Sequence, residues 1–259
     1  MFDIFFYPAN GVPYDAYAPL LSELSMHRVR SFNYLPLQDP RPKIPSQLSW
    51  DDLLPPIDPS TMSSNHVGIG HSLGGTLLLY DALKHPNRWK TIIIVDPALF
   101  SPFVNKVYTL ICAMNIQTYI HPMIKKTLRR SDRFESKAMI FSRWRQRSLF
   151  EYVSDDALHS FIDGCFTHDG RSWALRFPKS WEAAIYESMC TLDPFIWNQL
   201  PHLTTKLVVV AGQSSTTFLR GARHTIRPYS DAMIVIPNTT HLLPFEAPVA
   251  LSKIIQQYV

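Results

Sequence analysis

The residues with the clearest capacity for chemistry are Gly70-His71-Ser72-Leu73-Gly74, a G-x-S-x-G pattern inside Gly68-Ile-Gly-His-Ser-Leu-Gly-Gly75. An apolar run that reads as a strand precedes Ser72, and a helical pattern follows it. A tight turn between the two forces the serine into a strained backbone conformation. Glycines on either side let strand and helix approach without a Cβ clash. The new helix also aims its free N–H groups and the positive end of its dipole at the serine. A serine held this way is a candidate nucleophile. The plain alternative is a glycine-rich strand-to-helix turn with no chemistry.

The elements that must position this serine are legible as short apolar runs. Phe2–Tyr7, Arg28–Tyr34, His66–Gly70, Lys90–Val95, Lys206–Val210 and Ala232–Ile236 read as strands. Thr91-Ile-Ile-Ile-Val95 and Leu207-Val-Val-Val210 are continuous and β-branched, as strands covered on both faces require. Helical patterns span Tyr14–Met26, Leu73–His85 (stopped by Pro86) and Pro244–Tyr258. Strand alternating with helix predicts parallel βαβ units and an α/β fold. Two stretches break the rhythm. Residues 36–59 hold seven prolines, which exclude a long helix, although Ser49 and Asp52 could box a short one that ends before Pro55. Residues 97–200 read as a mainly helical insertion. Domains follow: 1–96 and 201–259 as the core, 97–200 as the inserted unit.

Taken with its surroundings, the serine motif resembles the α/β-hydrolase superfamily, and the resemblance spans most of the chain. Asn10-Gly-Val-Pro13 follows the first strand, where that family often carries His-Gly-x-Pro. Thr239-Thr-His-Leu-Leu-Pro-Phe-Glu-Ala-Pro248 is similar to the family's histidine loop, without its leading glycine. The resemblance implies Ser72 as nucleophile and His241 as general base. It also implies an oxyanion hole from the backbone N–H groups of Leu73 and Val12, each donor worth about 3–4 kcal/mol in the transition state. For Val12 the alternative is an ordinary Asn-Gly turn. The family usually begins with a further hairpin, so about six strands are expected here rather than eight. His71 is expected to be a packing residue.

One departure stands out. The family most often carries its acid as G-x-x-D after the penultimate strand, and here that stretch is Ala211-Gly-Gln-Ser-Ser-Thr-Thr217, with no carboxylate. Asp96 is the substitute candidate. It ends the strand after the nucleophile helix, where haloalkane dehalogenases and certain lipases of the family place their acid. A turn aspartate before Pro97 is the bland reading. Asp193, in the insertion, could reach in from above. Asp231 precedes the last strand and lies on the wrong edge.

A serine nucleophile disfavours dehalogenase and epoxide-hydrolase chemistry, whose relatives use aspartate there, and Leu73 stands where dehalogenases carry a halide-binding tryptophan. Acyl transfer remains, with a small-molecule ester or thioester as the expected substrate. A ligand-binding protein on a hydrolase scaffold and a C–C hydrolase or lyase-type relative are the competing readings. The resemblance makes residues 97–200 a helical cap. Its aromatic content suggests an apolar acyl pocket, or simply cap core.

Composition narrows the classes further. The chain has 259 residues, 46% hydrophobic and 12% aromatic, so wholesale disorder is excluded. No apolar run reaches the length of a membrane span, and the first residues lack a signal-peptide pattern. Cys112, Cys165 and Cys190 are too few and scattered for a disulfide framework or zinc site, which suggests reduced thiols and a cytoplasmic setting. No cofactor and no metal are expected. Net charge is +4, yet residues 121–150 alone carry +7. Lys125, Arg129, Arg133 and Lys137 recur at helical spacing, as one basic stripe that could steer an anionic substrate, dock on an acidic lipid surface or simply be solvated. No nucleic-acid module accompanies it. Oligomeric state is left open, a homodimer included.

Overall fold

The computed structural model describes residues 3–31, 35–38, 40–46, 48–55, 66–114, 116–188 and 193–259. Its strands are β1 (Asp3–Tyr7), β2 (Arg28–Ser31), β3 (Val67–His71), β4 (Thr91–Val95), β5 (Arg133–Phe134), β6 (Phe166–His168), β7 (Trp173–Leu175), β8 (Lys206–Gly212) and β9 (Ala232–Ile236). Six of them form one sheet in the order β2-β1-β3-β4-β8-β9, and every neighbouring pair is parallel. This is the expected α/β-hydrolase architecture. The helices are α1 (Ala18–Ser22), α2 (Leu73–Lys84), α3 (Pro102–Ala113), α4 (Gln117–Ile120), α5 (Pro122–Arg129), α6 (Lys137–Arg145), α7 (Asp155–Cys165), α8 (Lys179–Ser188), α9 (Asp193–Gln199), α10 (Arg220–Ile226), α11 (Leu243–Glu246) and α12 (Pro248–Gln256).

The unbroken apolar runs are explained by burial on both sheet faces. Alternate residues of β4 point opposite ways, so Ile93 and Val95 join one core with Ile4, Phe6, Val208 and Leu251. Ile92 and Ile94 join the other with Phe5, Leu77, Val209 and Ile226. A polar position in either register would sit unsolvated under a helix.

Several boundaries moved for local reasons. The helix expected over Pro244–Tyr258 is split, because Pro248 has no N–H to donate and holds Ala247 at φ −140°, ψ 56°, outside the helical region. The one expected over Tyr14–Met26 is a 3-10 turn, Tyr14–Tyr17, followed only by α1. The strand expected to reach Tyr34 is described as far as Ser31; residues 32–34 lie outside the described set, as do Pro56, Pro59 and Cys190. The Ser49–Asp52 box is present: the Ser49 N–H donates to Asp52 at 2.9 Å, and the Asp52 N–H to Ser49 Oγ at 3.3 Å.

Between β4 and β8 the chain leaves the sheet. Ser101, Ser136 and Ser154 accept backbone N–H groups as helix caps of α3, α6 and α7. The stretch is not purely helical: β5, β7 and β6 make a small antiparallel sheet. Strands of two or three residues are too short to show a period in sequence. The basic stripe is also not one helix. Arg130 ends α5 in an extended conformation, at ψ 138°. Arg133 then pairs with Asp169, and Lys137 with Asp163. Four aromatic residues of this stretch form core, the plainer of the two expectations: Trp144 stacks on Phe150 and meets Phe161 and Phe166, all four buried.

Candidate active site

Parallel strands end on one edge of a sheet, and the expected nucleophile, acid and base positions belong to that edge. Ser72 follows β3, Asp96 follows β4, and His241 lies five residues beyond β9. Ser72 has φ 55° and ψ −121°, the strained turn the sequence implied. Its backbone is over-determined: its N–H donates to Val95 O at 3.0 Å, and its C=O receives the N–H groups of Gly75 at 3.0 Å and Ala98 at 3.1 Å. The glycine requirement is steric. A Cβ on Gly74 would stand 2.0 Å from Tyr7 O and 2.4 Å from Pro8 O.

Ser72, His241 and Asp96 form one hydrogen-bonded line. The Ser72 hydroxyl and His241 Nε2 are 3.0 Å apart, and His241 Nδ1 and Asp96 Oδ2 are 2.7 Å apart. A carboxylate oxygen can only accept, so the proton sits on Nδ1 and the Nε2 lone pair faces Ser72. Asp96 is fully buried, and its other oxygen accepts the Gly212 N–H at 3.0 Å. Asp231 is placed as expected on the opposite edge, where it accepts the Leu207 N–H at 2.8 Å. The side chain of Asp193 lies outside what is described.

Three supporting residues were missed in sequence. Ser215 occupies the fourth position of the G-x-x-D stretch, and its hydroxyl donates to Asp96 Oδ2 at 2.5 Å. The empty acid position was itself the signal. Glu246, a motif residue of the histidine loop, accepts the Thr240 N–H at 2.6 Å and the Thr240 hydroxyl at 2.5 Å, which closes the loop around His241. His71 is more than packing. Its Nε2 lies 2.9 Å from the His241 carbonyl and its Nδ1 lies 2.8 Å from the Tyr17 hydroxyl. Since a carbonyl only accepts, His71 is protonated on Nε2, Tyr17 donates to Nδ1, and the Ala9 N–H donates to Tyr17 at 3.0 Å. Burial, reinforced by the charge of neighbouring His241, pushes the His71 pKa down to about 3, so it stays neutral.

The loop after β1 is clamped from above. Asn10 Nδ2 donates to the Glu182 carbonyl at 3.1 Å, and a Cβ on Gly11 (φ 76°) would meet Glu182 Oε2 at 2.6 Å. The buried Glu182 carboxylate receives Arg130 at 2.6 Å and the Thr127 hydroxyl at 3.1 Å. Leu73 opens α2 directly after Ser72. Val12 differs. Its N–H closes the Asn10–Gly11 turn onto Ala9 O at 3.2 Å, so that hydrogen bond must break before the group could serve an oxyanion. Ser72 is only 8% exposed. The hollows lined by Ser154 and Phe245, about 450 Å³, and by Thr205 and Tyr229, about 560 Å³, do not include it.

Comparison with known proteins agrees with this arrangement at the level of fold and family. No curated protein matches the chain. Among solved structures, the peroxisomal alpha-beta-hydrolase Lpx1 of Saccharomyces cerevisiae is similar at a TM-score of 0.72 and 16% identity, over 99% of this chain and 75% of that one. A thioesterase domain from the curacin biosynthetic pathway reaches 0.67 and 15%, over 98% and 90%. A thermophilic esterase from Thermogutta terrifontis reaches 0.63 and 19%, over 100% and 89%. Identities this low speak for the fold alone. The family model does more, because it runs from the turn after β1, across the serine elbow, to the last helix: residues 10–254 match, and the chain belongs to the alpha/beta hydrolase family.

Proposed function

We propose that the protein is a serine hydrolase that cleaves a small carboxylic ester or thioester through an acyl-enzyme on Ser72. The observation that carries this reading is the unbroken line Ser72–His241–Asp96, at 3.0 and 2.7 Å. Ser72 Oγ attacks the carbonyl carbon while His241 Nε2 takes its proton. Asp96 holds the ring in the Nδ1–H tautomer and stabilises the imidazolium that forms. The Leu73 N–H receives the developing oxyanion. His241 then returns the proton to the leaving oxygen or sulfur, and water, activated by the same nitrogen, releases the acid.

Residues 97–200 are the cap in this proposal, over a core of 1–96 and 201–259. The low exposure of Ser72 means that substrate enters when the covering segment moves. The missing G-x-x-D acid is the main support of the competing ligand-binder reading, and a carboxylate 2.7 Å from His241 favours the enzyme. A cytoplasmic setting is part of the proposal on cysteine usage: three cysteines scattered over 259 residues are too few for a disulfide framework.

Treatment with a fluorophosphonate probe, followed by mass spectrometry, tests the reading. Labelling at Ser72 that is lost in Ser72→Ala is the expected result. A folded protein that takes no label would overturn it.

A further inference from the structure

Helix α3 exposes an apolar face. Phe103, Val107, Leu110 and Met114 recur at spacings of four and three, so they share one face. That face is outward: Phe103 is 76% exposed and Leu110 62%. The polar Asn105, about 160° around the helix, is buried. The next helix continues the pattern with Tyr119, 74% exposed, and Ile120. Leaving Phe103 and Leu110 in water forgoes the free energy that burying them would release. An exposed apolar stripe of this kind marks a surface that meets something apolar.

Charge says what that something is. Residues 97–131 contain no Asp or Glu, but they contain Lys106, Lys125, Lys126, Arg129 and Arg130. Arg130 is used internally, on Glu182. Among the described residues, the other four form no ion pair with a carboxylate. Lys106 flanks the apolar stripe on α3, and Lys125 Nζ lies 5.2 Å from the Tyr119 ring, which joins the basic face of α5 to the apolar face. A second copy of the chain is a poor occupant, because an isologous contact would set this cationic face against itself. Hydrocarbon beside cations fits an anionic lipid surface, with the apolar side chains in the acyl boundary and the Lys and Arg groups at the phosphates.

We propose that the face formed by α3, α4 and α5 docks the protein on anionic lipid membranes. It reaches this surface through an interfacial contact, not a span, since no helix among the described residues is long and apolar enough to cross a bilayer.

Co-sedimentation with vesicles decides it. The whole protein is mixed with vesicles of phosphatidylcholine alone, or of phosphatidylcholine with phosphatidylglycerol. It is expected to sediment with the mixed vesicles only, and to be released by salt. Leu110→Asp should abolish binding. The triple variant Lys125→Gln, Lys126→Gln, Arg129→Gln should partition about a hundredfold more weakly. Circular dichroism melts matching the parent protein show that both variants are folded. Absence of binding to the mixed vesicles, or binding that survives both variants, overturns the proposal. So does a parent dimer, in sedimentation equilibrium, that Leu110→Asp dissociates.

Discussion

The Ser215 hydroxyl and the His241 Nδ1–H donate to the same oxygen of Asp96, at 2.5 and 2.7 Å. Ser215 therefore stands where the family usually carries its acid, and it serves an acid that comes from the neighbouring strand end. Because β4 and β8 are adjacent and in register, with Val95 opposite Val210, both ends lie within reach of one histidine.

This adjacency makes the carboxylate transferable. Asp96→Asn should lower kcat by roughly 10³–10⁴-fold, because the amide no longer selects the Nδ1–H tautomer. Adding Ser215→Asp to that variant should restore at least about tenfold, a step of roughly 1.4 kcal/mol in the barrier. Steady-state kinetics on a short ester reads both. No recovery in a folded double variant would show that the two positions are not equivalent.

The backbone of Ser72 stores strain that glycine would not. At φ 55° a side chain is disfavoured, so Ser72→Gly should stabilise the fold by about 1 kcal/mol while abolishing turnover. Urea denaturation measures the first effect. An unchanged or lower midpoint would mean that the elbow is held without measurable strain.

His71 links stability to pH with a definite sign. Its ordinary pKa of 6.5 applies to the unfolded chain, and about 3 to the folded one. Below pH 6.5 the unfolded state binds the extra proton, so stability falls as pH falls toward 3 and is unaffected by this group above 7. The loss from His71 is on the order of 4 kcal/mol across that window. His71→Gln keeps a donor for the His241 carbonyl but does not titrate. Its urea midpoint should fall less steeply with acid than that of the parent; parallel curves would contradict the assignment.

Glu182 holds the turn after β1 through its main-chain carbonyl, while its buried carboxylate pairs with Arg130. Glu182→Ala strands Arg130 and Thr127 without their partner and should cost about 3–5 kcal/mol. Glu182→Gln, which retains the shape over Gly11, should cost less. Thermal melts rank the three proteins, and equal loss in both variants would assign the effect to charge alone.

Much of this was legible in the chain because it is local or periodic. The two-faced apolar runs of β4 and β8 identify a covered parallel sheet. Ser72 is marked by flanking glycines that a strand-to-helix turn demands, and His241 by a loop whose Glu246 closes on Thr240. The divided basic stripe and the small β5-β7-β6 sheet were not legible. Neither depends on neighbours in sequence: Arg133 finds Asp169 across a turn, and two-residue strands carry no period.

Sequence by itself determined the six strands of the main sheet, the strained serine and the absence of an acid at position 215, since each follows from residue type at short range. Tertiary structure alone decided that Asp96 meets His241 across 145 residues of chain, that His71 joins Tyr17 to the His241 loop, and that α3 presents its apolar face outward. Those relations depend on which strand ends lie side by side and which way a helix is rolled. Packing sets both, and no short stretch of residues encodes either.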